Sequence, residues 1–151
     1  MSRAVQTAID SLNFFVESRN AGQVISVVTT GTGSFTSTDQ TNTAQNGAMF
    51  FITLASVTVT SATVQFSINA KDVQTGIYFP YIKASVDGLS GATPQGMVIV
   101  YPGASGTFVN AGNTVVPMPL PNVFQVVTSL TITNTSSTGT VSYTVDYSKV
   151  K

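Results

Sequence analysis

The residues of this chain best suited to polar chemistry are its six carboxylates: Asp10, Glu17, Asp39, Asp72, Asp87 and Asp146. Two of them across a cleft would make the acid and base pair of a glycosidase. Most fall in expected turns or at strand ends, where an aspartate usually binds its own backbone. Asp72 and the Asp87-Gly88 pair are candidates for holding Ca²⁺ together with loop carbonyls. The same residues in the same settings also read as plain turn formers. Serine and threonine are abundant, but a nucleophile needs a base beside it. The chain has no histidine and no cysteine, so the commonest base, the commonest transition-metal ligand and all thiolate chemistry are missing. Gly-x-Ser-x-Gly does not occur. Gly31-Thr32-Gly33 is followed by no lysine and no helical pattern, as a phosphate loop would require. An enzyme is not expected, nor a cofactor or bound metal.

Tyr78, Phe79, Tyr81 and Tyr101 are candidates for stacking on sugar rings or bases, although aromatics on strands more often pair across the sheet. No basic stripe accompanies them, so a nucleic-acid partner is not expected. Charged residues make up only 8% of the 151, and six acids balance six bases. Ordinary soluble domains carry about 25%. So few charges, summing to zero, leave little repulsion between copies. The balance favours a component of an assembly over a free enzyme. No apolar run approaches the ~20 residues of a membrane helix, so no membrane partner is expected. Asp10 lies where a signal peptide would carry its apolar core, and the expectation is synthesis and folding in the cytoplasm.

The elements that position these residues follow from a period of two. The chain is organised around Gly47 to Asp72. Its second half sets Val64, Phe66 and Ile68 on one face and Thr63, Gln65, Ser67 and Asn69 on the other. Met49 to Leu54 is a nearly continuous apolar run, as in a strand covered on both faces or crossing the middle of a sandwich. The pair reads as two antiparallel strands joined by a turn within Thr58–Ala62. Upstream, Gln23 to Thr30 is a β-branched strand, Ser34 to Thr38 a second and polar one, and Asp39 to Gly47 an exposed loop.

Downstream, Val73 to Gly76 is a turn. Ile77 to Ile82 is a strand whose Pro80 demands a sheet edge or a bulge. Asp87 to Pro94 is a loop, Met97 to Tyr101 a buried strand, and Thr114 to Val116 a short strand. Pro117 to Pro121 is extended, and Val123 to Thr133 is a strand before a polar turn at Asn134–Gly139. In Thr140 to Tyr147, Val141, Tyr143 and Val145 alternate with polar residues. The core is expected to hold Val64, Phe66, Ile68, Val141, Tyr143 and Val145. About eight or nine strands with frequent turns and no interior helix make an all-β sandwich or barrel. One domain of this length buries about two-thirds of its unfolded surface without staples.

Residues 1–20 stand outside the β pattern, with the sandwich domain spanning 21–151. Val5, Ala8, Ile9, Leu12, Phe15 and Val16 recur at helical spacing. They mark an N-terminal arm or short helix. It packs either on its own domain or on a neighbouring subunit or shell, with Val5, Ile9, Leu12, Phe15 and Val16 as the candidate contacts.

The order of features resembles a known group. Gly47-Ala48-Met49-Phe50-Phe51-Ile52 leads to the alternating strand Thr63 to Asp72. Gly76-Ile77-Tyr78, Tyr101-Pro102-Gly103 and Pro119-Leu120-Pro121 follow, the last before a Val-Phe-Gln-Val-Val strand, and Thr140 to Val145 closes the series. This pattern, over residues 22–148, resembles small jelly-roll structural proteins of tailed bacteriophages, particularly capsid decoration (cement) proteins. The resemblance implies a jelly-roll-like β-sandwich that oligomerises, commonly as a homotrimer, on the outside of an icosahedral head. Its implied partners are itself and the major capsid protein, and its place is the virion. A tail or neck component is the structural alternative. A carbohydrate- or receptor-binding β-sandwich module using the tyrosines is the alternative from another class.

Overall fold

The computed structural model describes residues 21–29, 33–42, 45–55, 59–92, 94–105, 113–135 and 141–150. The N-terminal segment, with Val5, Ile9, Leu12, Phe15 and Val16, lies outside them. The described residues form ten strands and no helix: β1 (Ala21–Thr29), β2 (Gly33–Thr36), β3 (Gln40–Thr41), β4 (Gly47–Ala55), β5 (Val59–Lys71), β6 (Tyr78–Leu89), β7 (Gln95–Val100), β8 (Asn113–Val116), β9 (Val123–Thr135) and β10 (Val141–Val150). The fold is the expected all-β sandwich. Its extra strand is β3, two residues long.

One sheet runs β1-β10-β4-β7-β8 and the other β2-β9-β5-β6, with β3 also pairing β9. The pairings are nested: β1 with β10, β2 with β9, β4 with β7 and β5 with β6, all antiparallel. Among the described strands, β8 alone adds parallel, to β7. The side-chain period decides what faces inward. Ala62, Val64, Phe66 and Ile68 of β5 are buried against Ala48, Phe50, Ile52 and Leu54 of β4 and Tyr143 and Val145 of β10. Five of the six expected core residues are therefore in place, and the side chain of Val141 lies outside the described set.

The central pair differs from the expected hairpin. β4 and β5 are not hydrogen-bonded neighbours; each is an inner strand of a different sheet. Residues 59–62, expected in the turn, already belong to β5. Both strands bear an inward apolar row, which a crossing between layers satisfies as well as a hairpin does. The Met49–Leu54 run lies mid-sheet, with its odd-numbered positions on the outer face, where Phe51 is exposed.

Pro80 meets both of its requirements. β6 is the edge of its sheet, and its register to β5 shifts between Ile68 and Asn69, with Pro80 opposite Asn69. The Asp87–Pro94 loop is shorter than expected, because Asp87 to Leu89 complete β6, with Gly88 at a φ of 75°. The Asp39–Gly47 segment is not wholly exposed either. Asn42 is buried, donates to the Gln45 and Leu120 carbonyls and accepts from the Gln45 N–H. Ser37 is buried too, and its Oγ accepts from the Val126 N–H. Each polar side chain substitutes for ladder partners where the chain leaves the sheet.

Candidate functional site

Three of the described carboxylates, Asp39, Asp72 and Asp87, hold turns and sheet ends. Asp39 precedes β3 and accepts from Lys71 Nζ at 2.5 Å and from the Tyr78 hydroxyl at 2.5 Å. Lys71 and Tyr78 are opposite residues at the ends of β5 and β6, and the ammonium also lies 5.2 Å from the Tyr78 ring centroid. The Lys71 hydrogen bond, then that of Tyr78, holds the Asp39 carboxyl below its usual range, while Asp39 raises Lys71. Such a pair favours a charged lysine, the opposite of what a lysine base needs.

Asp72 closes the β5–β6 turn. Its Oδ2 accepts from the Thr75 hydroxyl at 2.7 Å and its Oδ1 from the Gln74 N–H at 2.9 Å, which lower its pKa in that order. Gly76 supplies the positive φ of 74° that the turn requires. Asp87 accepts from Ser85 Oγ at 2.8 Å. Both Ca²⁺ candidates thus behave as turn and strand residues, and they lie at opposite ends of β6. No group of three or more metal-binding side chains occurs among the described residues.

The tyrosines are half-buried rather than presented as a platform. Tyr81 donates to the Pro119 carbonyl at 3.0 Å and packs against the core. Lys149, on β10, reaches across the sandwich to donate to the Thr41 carbonyl, and burial lowers its pKa. These contacts brace the end of the sandwich near β3.

What that end does present is apolar. Ala70 lies opposite Phe124 on β9 and opposite Phe79 on β6, so the three share a face of the sheet. Phe124 is buried, which makes this the core face. Phe79 therefore continues the core row past the rim of the sandwich, where it is 54% exposed. Ile77 is 54% exposed and Val73 70% exposed on the same hairpin end. Three exposed apolar side chains around one turn form the chief candidate contact surface. Sequence reasoning missed it. Of the strand expected over residues 77–82, Tyr78 to Ile82 lie in β6 and Ile77 precedes it, and the bulge at Pro80 hides which of them face the core.

No family model matches the chain, and no curated protein matches it. Among solved structures it is similar to the infectious bursal disease virus VP2 subviral particle, at 8% identity and a TM-score of 0.48, over 86% of this chain and 31% of that one. A Sulfurospirillum deleyianum protein aligns at 7% identity and a TM-score of 0.48, over 85% of this chain and 97% of its own. The enzymatically active domain of bacteriophage CBA120 tailspike protein 4 aligns at 11% identity and a TM-score of 0.43, over 87% and 19%. The chain spans about a third of the length of the viral capsid protein.

Proposed function

We propose that this chain is a non-enzymatic structural protein of a virion, a capsid decoration (cement) protein that bridges and stabilises a phage head. The observation that carries this reading is the strand order. A sheet β1-β10-β4-β7 facing a sheet β2-β9-β5-β6, built from four nested antiparallel pairs, supports reading the sandwich as wrapped like a jelly roll. Jelly rolls recur in capsid and lectin domains. The remaining features fit a role in contact rather than catalysis. Asp39, Asp72 and Asp87 are tied into turns and sheet ends, Asp39 with Lys71 at the end of β5, and the exposed apolar cluster lies at one end of the sandwich.

The physical role is mechanical. Each copy sits over a junction between capsomers with its Val73, Ile77 and Phe79 end against the major capsid protein. Individual contacts are weak. Repetition over the lattice, together with contacts between copies, raises the effective affinity, and their rupture adds to the work of opening the shell.

Cryo-electron microscopy of particles assembled with and without this protein tests the proposal, paired with a thermal rupture assay. Density for the sandwich on the outer head surface and rupture at a higher temperature are expected. Density confined to the tail or neck, or an unchanged rupture temperature at full occupancy, overturns it.

A further inference from the structure

A sheet edge is a row of unpaired backbone groups, and folded proteins blunt it with brevity, charge, proline or bulges. In this sandwich β6 is blunted by Pro80 and its register shift and by Lys83 and Asp87. β2 and β8 are blunted by length, at four residues each. β1 is different. It has nine residues, Ala-Gly-Gln-Val-Ile-Ser-Val-Val-Thr, with no charge and no proline. Among the described residues its one strand partner is β10. A register shift at Val24 interrupts its first half, but Ile25 to Thr29 pair with Val145 to Val141 without interruption. Ser26 and Val28 are exposed there, Val28 at 66%.

We infer that the Ile25–Thr29 edge of β1 is a docking surface for a second copy of this chain, by antiparallel β1–β1 pairing about a two-fold axis near Val27. The occupant follows from three features. Antiparallel pairing of one strand with its own copy is self-complementary by symmetry, so no further surface has to evolve. A chain with six bases and six acids, none of them in β1, offers no repulsion against it. The contact joins two five-stranded sheets into one continuous sheet, and it sets Val28 near Ser26 of the other copy, covering an apolar side chain. The inference concerns the chain in solution and does not depend on the virion reading. It departs from the trimer that the sequence resemblance implies, because an antiparallel edge contact joins two copies.

The test uses the full chain, whose lack of cysteine leaves introduced thiols without competitors. Sedimentation at micromolar concentration is expected to give a species of twice the 15.7 kDa chain mass. Val28→Lys and Ser26→Lys, both at exposed positions, are each expected to shift it to monomer without lowering the melting temperature. Single cysteines at Ser26, Val27 and Val28 are expected to give disulfide-linked dimers on mild oxidation at one of the three or between Ser26→Cys and Val28→Cys mixed. Gln65→Cys, on the outer face of the other sheet, is expected to give none. A trimer unaffected by the lysines, or cross-linking at Gln65 as efficient as at β1, overturns the inference. A monomeric wild type that dimerises only after deletion of residues 2–19 also overturns it, in favour of a segment of the same chain at that edge.

Discussion

Phe50 on β4 and Phe66 on β5 meet between the two sheets with ring centroids 4.9 Å apart and planes tilted by 50°. Phe124 approaches Phe50 edge-on at 6.5 Å, so three aromatic rings tie β4, β5 and β9 across the sandwich. The contact is what consecutive strands in opposite layers make in place of shared hydrogen bonds. Removing the Phe66 ring leaves a void in the middle of the core. Phe66→Ala is expected to destabilise the fold by about 3–5 kcal/mol. Denaturant unfolding checks this, and a midpoint within error of wild type would place Phe66 on the wrong face.

The same pair shows what was legible in the sequence and what was not. Alternation along Val64, Phe66 and Ile68, and again along Tyr143 and Val145, identifies the core face, because a strand's side chains alternate by geometry alone. The identity of the neighbouring strand leaves no such mark. β4 followed by β5 has the same apolar rows whether the two pair in one sheet or face each other, so the expected hairpin was the wrong choice between equivalent patterns. Asn42 and Ser37 were illegible for another reason. A buried polar side chain is specified by distant partners, Leu120 and Val126, that the local sequence does not contain. Of the candidate sites, the turn role of Asp72 was readable from its neighbours. The exposure of Phe79 depended on a bulge whose position only the pairing of β5 with β6 reveals.

Tyr143 is wholly buried, and neither its hydroxyl nor Thr128 Oγ1, which it faces, has a well-formed hydrogen bond. Burial pushes the phenol from 10.0 up to about 12. The folded state therefore keeps its proton where the unfolded chain has lost it. The stabilising contribution is complete below about pH 10 and is lost progressively as pH rises from there through about 12. Tyr143→Phe is expected to flatten that alkaline limb, by on the order of 2–3 kcal/mol across the window. At neutral pH the double variant Tyr143→Phe with Thr128→Val is expected to be as stable as wild type or more so, because both unsatisfied groups leave together. Unfolding free energies at pH 7, 9, 10 and 11 check both statements.

Gly47 opens β4 beneath the next strand. A Cβ there would lie 2.1 Å from the Val100 carbonyl oxygen and 2.8 Å from Tyr101 Cδ2. The oxygen belongs to the backbone and cannot rotate away, so the β4–β7 pairing must part to admit a methyl group. Gly47→Ala is expected to cost about 1–3 kcal/mol. At Gly103, with a φ of 67° and open space around its Cα, a substitution is strained by conformation alone and serves as the comparison. Gly103→Ala is expected to lower the melting temperature less than Gly47→Ala. The reverse order would mean that the end of β7 yields more easily than its packing implies.

Val73, Ile77 and Phe79 separate docking from folding, since more than half of each residue's surface is already in contact with water. Ile77→Ser and Val73→Ser remove apolar surface that the isolated sandwich does not use, so the melting temperature is expected to move by no more than a degree or two. Phe79→Ser is expected to lower it slightly more, because the ring continues the row of Phe124. If this end faces the major capsid protein, each change weakens every copy's contact. Multivalent binding amplifies a small loss per contact into a large loss of occupancy. The triple serine variant is expected to remain folded and to bind undecorated heads at least tenfold less tightly, as measured by co-sedimentation with particles. Lys83→Ala, farther along the same edge strand β6, controls for a general surface effect and is expected to bind as wild type. A triple variant that decorates heads at wild-type occupancy would move the shell contact to another surface while leaving the fold, and its exposed apolar end, still to be explained.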